Sequence, residues 1–330
     1  MAVQSMRAVV CHAFGPAEDL VLETRPVPQP AAGEVRVRIA AAGVDFADML
    51  MVAGRYQVKP PLPFVPGSEC CGEVDALGDG VTEWAVDDKV IACSVDGGFF
   101  ADYACVQAQR LVRWPAGLPA EVAAGFVLGH GTAWFGLVQR GGLQPGERVL
   151  ITGAGGGVGI AAIEVAKRSG AYVIAAAGSP EKLALARRHG ADAVIDYRNE
   201  NLRERIKELT DGNGYDMLVD MVGGDLFDEA LRAAAPYARL LVIGFAAGRI
   251  PEVPANRLLL KNISVVGVGF GAVVFAAPKE VAKVIDALAA LHDKAPFQSA
   301  VAETVGLEQA GEALARLARR DVVGKLVVRP

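Results

Sequence analysis

The chain has 330 residues, 52% of them hydrophobic, with 33 Lys and Arg against 38 Asp and Glu for a formal net charge of −5. That length exceeds the needs of one small core and suits two domains of an ordinary soluble globule. With no basic block, no arginine-rich arm and no apolar run of membrane-span length, neither nucleic acid nor a bilayer is an expected partner.

The opening segment MAVQSMRAVV has an early arginine but lacks the long apolar core and cleavage site of a secretory signal, so a cytoplasmic location is expected. Residues before 125 read as a compact β-rich domain. Short alternating segments such as residues 34–39 are punctuated by proline and glycine at 29–33, 59–67 and 78–80. The five cysteines (Cys11, Cys70, Cys71, Cys93, Cys105) are odd in number, form no C-x-x-C and lie in apolar surroundings, as buried thiols do. Apolar residues then recur at helical spacing over residues 123–141, where Gly141 and Gly142 stop the helix.

Residues 148–182 carry the strongest signal. Arg148–Thr152 is the β-branched, leucine-containing run of a strand buried on both faces, and glycines begin where it ends. Gly153, Gly156 and Gly159 recur every third residue, which suits a tight turn, close approach of backbone to a pyrophosphate, and a helix lying against its strand. The helix that follows, with Gly157 and Val158 in its first turn, offers free N–H groups and partial positive charge to a phosphate. After a second strand, Tyr172–Ala177, an NAD site usually has an acid on the ribose. This chain has Gly178, Ser179 and then Lys182, and the missing acid favours the 2′-phosphate of NADPH. Further strand-like runs at Ala193–Asp196, 217–221, 240–244 and 263–266 alternate with helical stretches, so the fold class is α/β with a doubly wound parallel sheet. Beyond Val268, a glycine-rich bend leads to a helix at 279–291 and a last strand at 325–328. The expected domains are 125–268 for the nucleotide and 1–124 with 269–330 for the β-rich unit.

The string from Thr152 to Gly159 also has the T-G-x-x-x-G-x-G spacing of short-chain dehydrogenases. Those enzymes begin with the nucleotide fold and carry Tyr-x-x-x-Lys, whereas here the motif is mid-chain and no tyrosine has a lysine four residues on. Taken together, PAAGEVRVRIAAAGVDFADML (30–50), PFVPGSECCGEVDALGDGVTEWAVDDKV (63–90), GHGTAWFGL (129–137), the glycine motif and GKLVV (324–328) make the chain resemble the medium-chain dehydrogenase/reductase superfamily nearly end to end. That resemblance implies a GroES-like catalytic β-domain before a Rossmann domain. Zinc-bearing relatives place a Cys and a His-Glu pair where this chain has Asp45, Ser68 and Glu69, and four clustered cysteines in a structural lobe that has no counterpart here. A metal-free enzyme is therefore expected, similar to the zinc-free quinone oxidoreductase (zeta-crystallin-like) group.

For that group the implied reaction is NADPH-dependent reduction of a quinone or α,β-unsaturated carbonyl by direct hydride transfer. The alternatives are an enoyl- or acryloyl-CoA thioester reductase, with Arg55, Lys59 and Arg257 as a basic rim, and a non-catalytic NADPH-binding sensor. Tyr56 matches a cleft tyrosine and is either a proton or hydrogen-bond donor or a packing residue; a second family tyrosine is Leu50 here. Asp45, where Asn is common, is either a protonated donor or, as preferred, an N-cap with Asp48. Thr132 is either close to the nicotinamide or a helix-start hydroxyl, and neighbouring His130 reads as a satisfied, partly buried histidine. Lys182 and Tyr197 match the 2′-phosphate ligands of relatives, aided by Ser179; Gly244, Phe245, Ala246, Val268 and Gly269 are expected near the nicotinamide, and Lys325 among the cofactor contacts. An apolar edge at 262–271 is expected to pair with its twin in a homodimer.

Overall fold

The computed structural model describes residues 5–298 and 300–330; residues 1–4, the start of the segment read above for a leader, lie outside them. Two compact units emerge, one of Met1–Leu128, Gly271–Ala289 and Ser299–Pro330, the other of Gly129–Phe270 and Ala290–Gln298. No helix among the described residues is long and apolar enough to cross a membrane.

The first unit is built on a seven-stranded sheet in the order Val301–Gly306, Lys325–Arg329, Glu34–Val44, Glu69–Leu77, Lys89–Cys93, Leu111–Arg113, with Tyr103–Gln107 also pairing to Glu34–Val44. In Glu34–Val44, Val35, Val37 and Ile39 enter the core, while Arg36 and Arg38 point outward to Asp75 (2.6 Å) and Glu73 (2.5 Å) on the neighbouring strand. The alternation continues through exposed Ala40 and buried Ala41, and only the last residues, Ala42, Gly43 and Val44, are buried in succession and lose the period-2 signature. Four of the five cysteines are buried and Cys105 is half-buried, all as free thiols.

The second unit contains a six-stranded sheet in the order Ala193–Asp196, Tyr172–Ala177, Arg148–Thr152, Tyr215–Asp220, Ala234–Val242, Ser264–Gly267. Every neighbouring pair is parallel, so all six strands end on one edge. The order reverses between Arg148–Thr152 and Tyr215–Asp220, the switch point where such sheets bind ligands. Of the edge segment 262–271 only Ser264–Gly267 is strand. Asn262 caps the helix Ala255–Lys261 with a left-handed backbone (φ 54°), and Phe270 opens the helix Phe270–Ala276. The helix expected at 123–141 is likewise broken up, into Ala120–Ala123, a π-helical Phe126–Gly131, Thr132–Trp134, and a π-helical Phe135–Arg140.

Residues 290–298, assigned from sequence to the first domain, belong to the second unit because polar side chains of helix Gly157–Arg168 hold them there. Arg168 donates to the carbonyls of Ala295 (3.0 Å) and Pro296 (2.6 Å), and its guanidinium lies 4.3 Å over the Phe297 ring. Buried Glu164 accepts from Gln298 N–H (3.0 Å), and its carboxylate is also bonded by His130 Nε2 (3.1 Å) and His189 Nδ1 (3.3 Å). Burial alone would raise the Glu164 pKa, but these donors outweigh it and hold the group at about 2. Glu164→Leu, which leaves those donors unpaired, is expected to destabilise the protein by about 3–5 kcal/mol in denaturant unfolding; a loss under about 1 kcal/mol would show the cluster to be dispensable.

Candidate functional site

At the end of Arg148–Thr152 the chain turns through Gly153 at φ +65°, and helix Gly157–Arg168 begins after Gly156. Gly159 is obligatory: a Cβ there would stand 2.4 Å from the Gly153 carbonyl oxygen. The first-turn N–H groups, including those of Gly157 and Val158, stand at the helix N-terminus, where a phosphate could be held. Beyond the next strand, Ser179 caps helix Pro180–Arg188, its Oγ accepting Lys182 N–H at 3.4 Å. A Cβ on Gly155 would meet Lys182 Cβ at 2.5 Å, and one on Gly178 would meet Arg198 Nε and Tyr197 Cε2, both at 3.0 Å. Lys182 therefore lies over Gly155, and Tyr197 and Arg198 lie over Gly178. These residues fit a dinucleotide whose ribose carries a phosphate.

Arg198 escaped the sequence reading because an exposed arginine in a polar loop looks like any solvated charge. Asp220, a second omission, lies buried at the switch point, where it accepts from Thr152 Oγ1, Val222 N–H (3.2 Å) and Gly223 N–H (2.9 Å). An Asp at the carboxyl end of an apolar strand was the available signal. Gly244, Phe245 and Ala246 follow strand Ala234–Val242, and Val268 and Gly269 follow Ser264–Gly267, all on the ligand-facing edge of the sheet. Thr132 is not a helix start, since Gly131 before it already has helical angles and no side-chain cap forms. Gly131 instead makes room for Phe270, whose Cε1 would lie 2.6 Å from an added Cβ.

The first unit holds a separate polar cluster. Asp45 is the N-cap residue of helix Phe46–Val52, but the capping carboxylate is that of Asp48, whose Oδ2 accepts Asp45 N–H (2.9 Å) while Oδ1 accepts Ser68 Oγ (2.5 Å). Asp45 Oδ1 accepts instead from Lys325 Nζ at 2.6 Å, and its buried Oδ2 has no partner among the described residues. Lys325, expected to touch cofactor, has a side chain only 10% exposed and committed to Asp45. Glu69 accepts Val127 N–H (2.6 Å) and Leu128 N–H (3.1 Å). Burial raises Glu69 to about 8, aided by Asp45 and opposed by Lys325 and the two N–H donors; burial and the Asp45 charge raise Asp48 to about 7. Tyr56 is half-buried, and burial with the Asp48 and Asp45 charges raises its phenol.

Residues 31–116 match the family described as alcohol dehydrogenase GroES-like domain, and residues 157–290 that described as zinc-binding dehydrogenase. The chain is 36% identical to a quinone oxidoreductase-like protein 2 homolog of Nematostella vectensis, over 98% of its own length and 89% of that protein's. It is 34% identical to a quinone oxidoreductase of Pseudomonas aeruginosa, covering 96% and 98% of the two chains. The Escherichia coli quinone oxidoreductase complexed with NADPH has the same fold, with a TM-score of 0.90 at 28% identity over 98% and 100% of the chains. One family description implies zinc. At the positions matching a catalytic zinc site this chain has Asp45, Ser68 and Glu69, and the Asp45 carboxylate is already taken by an ammonium group, which offers no lone pair and repels cations. The donor set does not fit that metal.

The cluster makes stability depend on pH in a defined direction. An unfolded Glu ionises near 4.5 and folded Glu69 near 8, so its contribution is fully present below 4.5 and lost as pH rises through 8. Asp48 acts in the same sense between 3.8 and about 7. Thermal midpoints of the wild type should therefore fall as pH rises across this range, and Glu69→Gln should flatten the decline. Equal slopes for the two proteins would refute the assignment.

Proposed function

The chain belongs to the quinone oxidoreductase-like group of the medium-chain dehydrogenase/reductase superfamily, and from that premise we propose that it is an NADPH-dependent, metal-independent reductase of quinones or α,β-unsaturated carbonyls. The observation that carries this reading is Lys182 lying over Gly155 of the glycine turn, with Tyr197 and Arg198 over Gly178, past a strand end that bears no acid. Such a group of two cations and a hydroxyl favours a 2′-phosphate over a free ribose hydroxyl, which an NAD site usually meets with a carboxylate. Bound there, NADPH supplies the hydride. The first-turn N–H groups after Gly156 hold the pyrophosphate, and Thr132, Gly244, Phe245, Ala246, Val268 and Gly269 line the nicotinamide end.

Tyr56 keeps its proton on Oη, because burial and two nearby carboxylates disfavour the phenolate. It thereby donates a hydrogen bond to the substrate oxygen as that oxygen gains charge, the task that a Lewis acid performs in metal enzymes. We also infer a homodimer through the edge strand Ser264–Gly267, flanked by the exposed Leu259 and Leu260.

NADPH oxidation followed against a panel of a quinone, a small enone and a crotonyl thioester tests the class, and no turnover with any of them would refute it. Lys182→Ala should cut the preference for NADPH over NADH by about tenfold to a hundredfold, the worth of a charged hydrogen bond. Tyr56→Phe should lower kcat/KM by about a hundredfold, and unchanged turnover would assign the proton to another source. Light scattering at micromolar protein should give twice the mass of the chain.

A further inference from the structure

Several glycines outside the left-handed region are required by a close neighbour. At Gly43, Gly72, Gly131 and Gly159 an added Cβ would stand 2.2, 2.2, 2.6 and 2.4 Å from an atom of another residue. Gly271, in helix Phe270–Ala276, answers to no such need. Its backbone is not left-handed, and beyond its own helix and chain neighbours the one described atom within 4 Å of an added Cβ is Tyr56 Oη, at 3.7 Å, an ordinary van der Waals distance. Glycine disfavours a helix more than any residue except proline, so a side chain here would help the helix rather than harm it. Gly271 and Tyr56 both lie in the first unit. The phenol is held in place there: Arg55 and Tyr56 N–H both donate to the Leu50 carbonyl (2.8 and 3.1 Å), Gly54 turns the chain at φ +65°, and the ring packs against the core cluster that includes Met51 and Val52. Its Oη has no hydrogen-bond partner among the described residues.

We propose that Gly271 is a specificity-determining residue: its missing side chain leaves the approach to Tyr56 Oη open, so that the substrates extend to carbonyls flanked by substituents, fully substituted quinones among them. A carbonyl oxygen that accepts from Tyr56 Oη lies about 2.7 Å from it, and a substituent on the adjacent carbon lies beside that oxygen, in the shell that a Cβ at position 271 would occupy. A side chain there would leave room for a bare carbonyl and exclude a crowded one. The inference rests on the reading of Tyr56 as hydrogen-bond donor to the substrate oxygen and adds to it the shape of what is accepted.

Steady-state kcat/KM with NADPH is measured for para-benzoquinone, whose carbonyls have no neighbouring substituent, and for tetramethyl-para-benzoquinone, whose carbonyls are flanked on both sides, in the wild type, Gly271→Ala and Gly271→Val. The ratio of the crowded to the bare quinone should fall by about tenfold to a hundredfold in Gly271→Val, and in the same direction but less in Gly271→Ala, which decides alone if the valine variant does not fold. An unchanged ratio overturns the proposal, including the case in which both quinones slow alike, as they would if Gly271 served only as a hinge. In a Tyr56→Phe background the change in ratio should shrink, because no donor then fixes the oxygen against position 271; an undiminished change overturns the link to Oη. If the wild type turns over neither quinone, the reductase reading fails, and binding decides this inference separately. Equilibrium dialysis should then show tetramethyl-para-benzoquinone bound by the wild type and about tenfold more weakly by Gly271→Val, whereas equal binding, or none to the wild type, overturns it.

Discussion

Parallel hydrogen bonding is the constraint on which the candidate cofactor site rests. Because all six strands of the nucleotide unit run the same way, their carboxyl ends share one edge, and every connection must leave from it. Residues as far apart in sequence as Gly153, Tyr197 and Ala246 are gathered there by strand direction. The glycines then decide what that edge accepts. Gly159 brings helix and strand together, Gly155 and Gly178 let long polar side chains lie over the backbone, and Asp220 ties the two strands at the reversal. Recognition of a phosphorylated dinucleotide thus follows from strand direction plus the absence of a few β-carbons.

The β-rich unit solves a different problem, that of burying charge. Asp45, Asp48 and Glu69 are held by backbone N–H groups, a serine hydroxyl and one lysine, and the proton affinities of Asp48 and Glu69 are raised mainly by the water they lack. Such a cluster adds little net stability, since desolvation opposes each attraction, but removing any one member leaves the others uncompensated. That asymmetry makes it a determinant of local geometry around Tyr56, whose phenol responds to two of its carboxylates.

How far the fold was readable depended on whether the deciding contacts were local. Arg148–Thr152, Tyr172–Ala177 and Ala193–Asp196 were legible to the residue because β-branched runs end there at turn formers. Glu34–Val44 was cut short at Ile39, since the small residues that follow offer little apolar contrast to read and the last three are buried in succession. The π-helical turns around Thr132–Trp134 leave no mark in apolar spacing. The pairing of Lys325 with Asp45 was not legible because the two are 280 residues apart, and only the register of two strands brings them opposite. Residues 290–298 were put in the wrong unit for the same reason, their anchors Glu164 and Arg168 lying more than a hundred positions upstream.

The disposition of the thiols bears on chemical survival. Conjugated carbonyls and quinones alkylate thiolates, so a protein that binds them is at risk from its own substrates. Burial pushes Cys71 up to about 12 and Cys105 to about 11, raises Cys70 and Cys93 well beyond the ordinary thiol range, and raises Cys11 in the same direction. At neutral pH hardly any nucleophilic sulfur exists, and four of the five side chains are out of reach. The packing that builds the sheet thereby also holds these sulfurs in the less nucleophilic thiol form.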